Sequence, residues 1–250
     1  MTEQTAPVVM AVTGLSLPDT VVIRTMTVRN WRAVHRRQDR VRLRVEAREL
    51  RPPRSSRRSA KAQAAASGFS RHIVWPSIGA QVVDFGHGRP EIVILPQALQ
   101  EAGRLDDERV LQKVIAHEMT HLAQYAIADG SLWVLMNTRY PDQRGIGDRD
   151  YSFLLEGHAY WADQQVTTKV LGAPVPTAEI SPHATRRYRA LAETSQRNES
   201  LAYFEAAADS VGRIIEAQGL NAFNRIWTAP ELVPLRSESS TPELWQQRFE

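Results

Sequence analysis

Between residues 105 and 127, LDDERVLQKVIAHEMTHLAQYAI, apolar side chains recur at helical spacing. Val110, Leu111, Val114, Ile115, Leu122 and Ala126 form one stripe. Asp106 or Asp107 stands where a helix cap belongs, and acids in a first turn suit the helix dipole. YSFLLEGHAYWADQQVTTKVLG (151–172) predicts a second long helix that ends at Gly172, and 185–226 is mostly helical by pattern. A Pro-punctuated tail, IWTAPELVPLRSESSTPELWQQRF, follows. Residues 137–150, NTRYPDQRGIGDRD, read as a loop that could act as a lid.

The N-terminal third reads differently. VVMAV and TVVIRTMTV are short β-branched runs separated by the turn-like TGLSLPD. VRNWRAVHRRQ fits a short amphipathic helix. VRLRVEAREL then alternates strictly, with Val41, Leu43, Val45 and Ala47 on one face and Arg42, Arg44, Glu46 and Arg48 on the other. Period two predicts a half-buried strand. RPPRSSRRS has no apolar residue and predicts a linker near 51–60. HIVW, AQVVDF and EIVILP are further strand candidates. The expected fold class is therefore α+β, with a small, mainly β N-terminal part and a mainly α-helical C-terminal half. The division expected is an Arg-rich region 1–69 followed by a domain 70–250. There is no internal repeat.

Charge sharpens this division. Residues 24–61 hold 14 of the 31 Lys and Arg but only three of the 28 acids (Asp39, Glu46, Glu49), so a local +11 sits against −8 elsewhere. Such a segment could contact nucleic acid or an acidic partner, although only Trp31 supplies an aromatic ring and no nucleic-acid motif is present. A solvated arginine face is the plainer reading. The longest apolar runs are far short of the roughly 20 residues needed to span a bilayer. The start, MTEQTAPVVMAVTG, lacks the basic region of a secretory signal, so a cytoplasmic location without membrane contact is expected. The chain has no cysteine, so any metal must be held by His, Asp or Glu.

That restriction gives weight to HEMTH, residues 117–121. Positions four apart lie on one helix face, so His117 and His121 can aim ring nitrogens at one ion. Glu118 sits beside that face, where it can reach a metal-bound water. A third histidine six residues on is missing: position 127 is Ile, and Gln124 replaces the glycine such a turn needs. LLEGHAYWAD offers Glu156 and His158. They are about 200° apart around a helix, so only one can face the ion. Glu156, in an apolar run with Phe153, Tyr160 and Asp163, is the preferred ligand, because a carboxylate there is costly unless paired or ligated. His158 is then an orienting residue, a transition-state donor or a core histidine. Asp163 could orient a ligand histidine through its second nitrogen, or be a surface acid.

HEMTHLAQY, about 35 residues of separation, and then LLEGHAYWAD resemble the zincin-like metallopeptidases of the glutamate-ligand branch, the gluzincins. More narrowly, the chain looks like a bacterial zincin family best represented in actinobacteria. Its members carry a similar HExTHxxQF helix, then LLEGHA, then a closing segment like GLNRVWESPENLPT with a later Trp and Arg. Here the close is GLNAFNRIWTAPELVPLRSESSTPELWQQRF, and the resemblance covers about residues 107–248. It implies zinc (Zn2+) ligands at His117, His121 and Glu156, and a general base at Glu118. Tyr125 stands where Phe is usual, and the family's helical N-terminal half has no counterpart in the β-like reading of this chain.

The function expected is a zinc-dependent hydrolase, most simply a metallopeptidase whose metal-bound water Glu118 activates for attack on a peptide or protein substrate. Tyr125, Tyr140, Tyr151 and Tyr160 are candidates to stabilise the oxyanion. Tyr160, which shares the face of Glu156, joins Glu118 and His158 in the candidate catalytic set. EIVILP could be the sheet edge that holds an extended peptide, or an ordinary core strand. The alternative is a zincin-fold binding or regulatory module that uses its basic N-terminal region.

Overall fold

The computed structural model describes residues 1–86 and 88–249. The chain is mainly helical around one small sheet, which agrees with an α+β class but not with a β-rich start. The first run is helix α1, Thr2–Thr13, stopped by Gly14 in a left-handed conformation at φ 65°. A Cβ on Gly14 would lie 3.0 Å from Leu220, so glycine serves both the turn and the packing. Strand β1 is only Ile23–Thr25. Helix α2, Val28–Glu49, absorbs both VRNWRAVHRRQ and VRLRVEAREL, and Thr27 caps it by accepting from the Asn30 amide. Helix α3, Arg54–Val74, takes in most of RPPRSSRRS and the start of HIVW, and a 3-10 turn, Trp75–Ser77, ends it. The expected linker shrinks to residues 51–53 between two helices.

The misread segments share a cause, because tertiary packing overrides local pattern. In α1 the β-branched Val9 and Val12 are buried against Ile115 and Met119. In α2 the inward face is largely charged. Asp39 and Glu46 are buried while Val41 and Val45 are 48% and 54% exposed. Asp39 pairs with Arg71 and Arg139, and Glu46 accepts from the Arg139 amide at 2.8 Å. Burial pushes the Asp39 carboxyl up, but Arg139 and Arg71 outweigh it and hold Asp39 below the usual carboxylate range. The apolar–polar alternation therefore says nothing about which face points inward.

Strands β2, Ala80–Asp84, and β3, Pro90–Ile94, complete a sheet of order β1-β3-β2, with β1 parallel and β2 antiparallel to β3. EIVILP is thus the central strand and not an edge; β1 and β2 are the edge strands, and β2 is the one beside HEMTH. Leu95 N donates to Gly79 O at 2.9 Å, which fixes Gly79, Gln81 and Val83 as the hydrogen-bonded positions. The backbone groups of Ala80 and Val82 then face away from the sheet.

Helix α4, Pro96–Glu101, leads to α5, Glu108–Ile127, which carries HEMTH and is capped by Asp107 accepting from Val110. Helix α6, Ser131–Met136, precedes the loop, which is tied down rather than free. Arg139 reaches Asp39, and Arg144 reaches Glu49 at 3.1 Å. Helix α7, Tyr151–Leu171, stops at Gly172 as predicted. It is the central helix, with Phe153, Leu154, Leu155, Ala159, Ala162 and Val166 fully buried. Helices α8 (Arg186–Ala192), α9 (Ser195–Gln218), α10 (Leu220–Asn224), α11 (Arg236–Ser239) and α12 (Pro242–Gln246) finish the chain. The tail drives Phe223, Trp227, Trp245 and Phe249 into the core beside α7 and α9. Residues 1–69 share these contacts: β1 lies in the sheet and α1 packs on α5 and α7. Among the described residues no helix is long and apolar enough to cross a membrane.

Candidate metal centre

Helices α5 and α7 pack side by side and bring the two motifs together. Close approach of α7 to its other neighbour, α9, depends on the glycine of LLEGHA. A Cβ on Gly157 would sit 2.7 Å from the Ala207 Cβ and 2.8 Å from its backbone carbon. Helical spacing on α5 then points His117 and His121 the same way, and Glu156 of α7 meets them. Glu156 Oε2 lies 3.5 Å from His117 Nε2 and 3.8 Å from His121 Nε2. The three ligand atoms lie within 4.8 Å of one another. Four tetrahedral ligands at about 2.0–2.1 Å from zinc stand roughly 3.3 Å apart, so a small shift of side chains accommodates the ion. The donor set of two imidazoles and one carboxylate suits zinc and other first-row divalent metals.

Each histidine is turned by a partner on its other nitrogen. His117 Nδ1 lies 3.0 Å from Asp163 Oδ2, and Asp163 is fully buried. His121 Nδ1 lies 2.8 Å from Gln124 Oε1. The amide nitrogen of Gln124 donates to Leu155 O at 2.9 Å and reaches His158 Nδ1 at 3.0 Å. This network fixes the protons. Both ligand histidines carry hydrogen on Nδ1, so Nε2 is the nitrogen each turns towards a metal. Gln124, noted in the sequence only as a missing glycine, is therefore an orienting residue. Its period from His121 could have revealed this, since it lies less than one turn on.

His158 is placed in the core. It is fully buried, stacked at 5.7 Å on Trp161 and 5.4 Å on Phe223, with Trp227 at 5.0 Å. Burial pulls its pKa down to about 3, so it is neutral. Of its sequence-level alternatives, this position matches a core histidine that supports His121 through Gln124, and not a donor to a reacting group. The closing aromatic segment of the chain builds its pocket.

Glu118 lies against β2, near the outward Val82 amide, which favours its charged form. Its Oε2 is buried without a hydrogen-bond partner. Burial raises its pKa, against the pull of His117 and His121. In the metal-free site burial works against His117, yet hydrogen bonds to Asp163 and Glu156 raise it to about 10. Burial would raise Glu156, but the two histidines hold it well below the usual carboxylate range.

A cavity of about 270 Å3 opens beside these groups. Its lining includes His117, Glu118 and Tyr160, Gly79 with Ala80 at the start of β2, and the apolar Leu99, Ala102 and Val114. Tyr160 meets the His117 ring edge-on at 4.9 Å and stacks on Phe204. Burial, followed by the Glu156 and Asp163 charges, raises its pKa. The other candidate tyrosines lie elsewhere. Tyr125 donates to Asp84, and Tyr140 and Tyr151 are buried away from the cavity. Tyr188, which the sequence did not single out, does line it. So does Lys113, whose Nζ donates to Val175 O at 2.9 Å and lies 3.7 Å from Asp163 Oδ1.

No model of a known protein family matches the chain, and no curated protein matches it in sequence. A similar solved structure is the crystal structure of a "putative hydrolase with a novel fold" from Chloroflexus aurantiacus. It is 17% identical, with a TM-score of 0.54 over 99% of this chain and 87% of that one. At that identity the likeness is one of fold: this chain folds as that protein does over nearly its whole length.

Proposed function

We propose that the protein is a zinc-dependent hydrolase of the metallopeptidase type. The observation that carries this reading is the convergence of His117, His121 and Glu156, with Glu118, whose buried oxygen has no partner, lining a cavity together with His117. A purely structural metal site has no need of such a base or of an open side. When bound, zinc supplies Lewis acidity and lowers the pKa of water towards about 7.

The chain's own residues do the rest. Asp163 and Gln124 keep the imidazoles aimed. Glu118, its carboxyl already raised by burial, takes the proton of the attacking water and returns it to the leaving amine. Tyr160, protonated at neutral pH, is the hydroxyl best placed to donate to the carbonyl oxygen as charge develops there. The outward backbone groups of Ala80 can receive an extended peptide by strand addition, which favours a peptide substrate. The likeness to a protein described as a putative hydrolase accords with this reading.

Glu118→Gln tests the base. The variant should keep stoichiometric zinc while cleavage of a peptide library falls by about 100-fold or more. Unchanged cleavage refutes the role of Glu118. Zinc binding with no cleavage in the wild type favours the alternative, a zincin-fold binding module.

A further inference from the structure

We propose that the open cavity between the start of α2, the Trp75 turn and α8 binds the phosphate group of inorganic phosphate or a small phosphate monoester. It measures about 420 Å3, and its walls include Arg29, Arg32, Trp75, Gln97 and Arg187. It shares no lining residue with the cavity at His117 and does not depend on the hydrolase reading. Among the described residues no carboxylate lines it. Among the described residues none of its three arginines forms an ion pair.

Two of the cations are held together with no counter-charge. The guanidinium carbons of Arg187 and Arg32 lie 4.7 Å and 5.9 Å from the Trp75 ring centroid. Arg32 spends one nitrogen on the His72 carbonyl at 3.1 Å, while its Nε is buried and unpartnered. Burial, then the Arg187 and Arg36 charges, lowers the pKa of Arg32. Bringing like charges together without an acid costs free energy, and a bound dianion removes that cost. Planar guanidinium groups match phosphate oxygens in pairs.

The start of α2 contributes little charge of its own. Its Val28 amide donates to Gln97 at 3.0 Å and its Asn30 amide to Thr27 at 3.2 Å. Gln97, anchored through its oxygen, keeps its amide hydrogens as donors. The space exceeds a phosphate group, so an ester chain can follow. Trp75 is only 8% exposed and carries two arginines, so it offers no free face for a nucleic-acid base.

The test is calorimetric titration of the zinc-loaded full chain with inorganic phosphate, O-phosphoserine and acetate at fixed ionic strength. Saturable one-to-one binding of the first is expected, with acetate weaker by about tenfold or more. If O-phosphoserine binds as well, the site takes esters; if it does not, free phosphate alone. Arg187 and Arg29 are exposed, so Arg187→Gln and Arg29→Gln should fold normally and each weaken phosphate about tenfold. Phosphate can also ligate a metal, so His117→Ala is titrated in parallel and should bind phosphate as the wild type does. The proposal is overturned by no saturable binding, by binding lost in His117→Ala but kept in both arginine variants, or by duplex DNA binding that phosphate does not compete.

Discussion

Gln124→Leu isolates the orienting network behind the metal site. The side chain is fully buried, and Leu fills nearly the same volume without polar atoms. The change strands the Nδ1 hydrogen of His121, which Gln124 accepts at 2.8 Å, and Nδ1 of His158, which it serves at 3.0 Å. Leu155 O, the third partner, retains its place in the α7 ladder. Two buried polar groups without partners cost about 1–3 kcal/mol each, so a loss of about 2–6 kcal/mol in stability is expected. Freed of its acceptor, His121 no longer holds one tautomer and ring angle, and zinc affinity should drop by about 10–100-fold. Urea unfolding of chelator-treated protein reads the first effect, and competition against a fluorescent zinc chelator reads the second. Gln124→Glu keeps an acceptor for His121 and should retain more affinity than the Leu variant. Zinc affinity within about twofold of wild type in Gln124→Leu would refute the orienting role.

Three other outcomes follow from the same geometry. Asp163→Asn should weaken zinc by about 10–100-fold in the same competition assay, because the carboxylate behind His117 is lost. Gly157→Ala should destabilise the fold by about 1–3 kcal/mol in urea unfolding, although alanine is the better helix former, because its methyl group meets Ala207 at 2.7 Å. Zinc binding should also weaken as pH falls. The metal-free protein raises His117 to about 10, above its value of 6.5 in the unfolded chain. The stabilisation from this proton is complete below 6.5 and is lost as pH rises through about 10. Zinc must displace that proton at neutral pH, so its affinity should rise about tenfold per unit between pH 6 and 8; a flat profile would contradict the protonated state.

The C-terminal half was legible because its core is apolar. Helix α5, with its cap at one of Asp106 and Asp107, and the stop of α7 at Gly172 were readable, although of the expected α5 stripe only Ile115 and Leu122 are buried and Ala126 is exposed. Both put His117, His121 and Glu156 on facing helices. Residues 24–61 hid their fold because the inward face of α2 is built from Asp39 and Glu46, paired with arginines far along the chain. No local pattern carries such a partner. Which of the two readings of EIVILP holds was hidden for a related reason, since AQVVDF and EIVILP are equally apolar and only the parallel partner β1 makes β3 central. The place of Gln124 was hidden as well, because its work depends on Leu155 and His158 of another helix.

Anomalous X-ray scattering at the zinc edge, from crystals of protein purified with zinc, tests the central claim most directly. The account predicts one strong peak per chain, about 2.0–2.2 Å from His117 Nε2, His121 Nε2 and a Glu156 oxygen, with a fourth position facing the cavity. No peak there, or a peak that persists in His117→Ala with Glu156 unengaged, would contradict it.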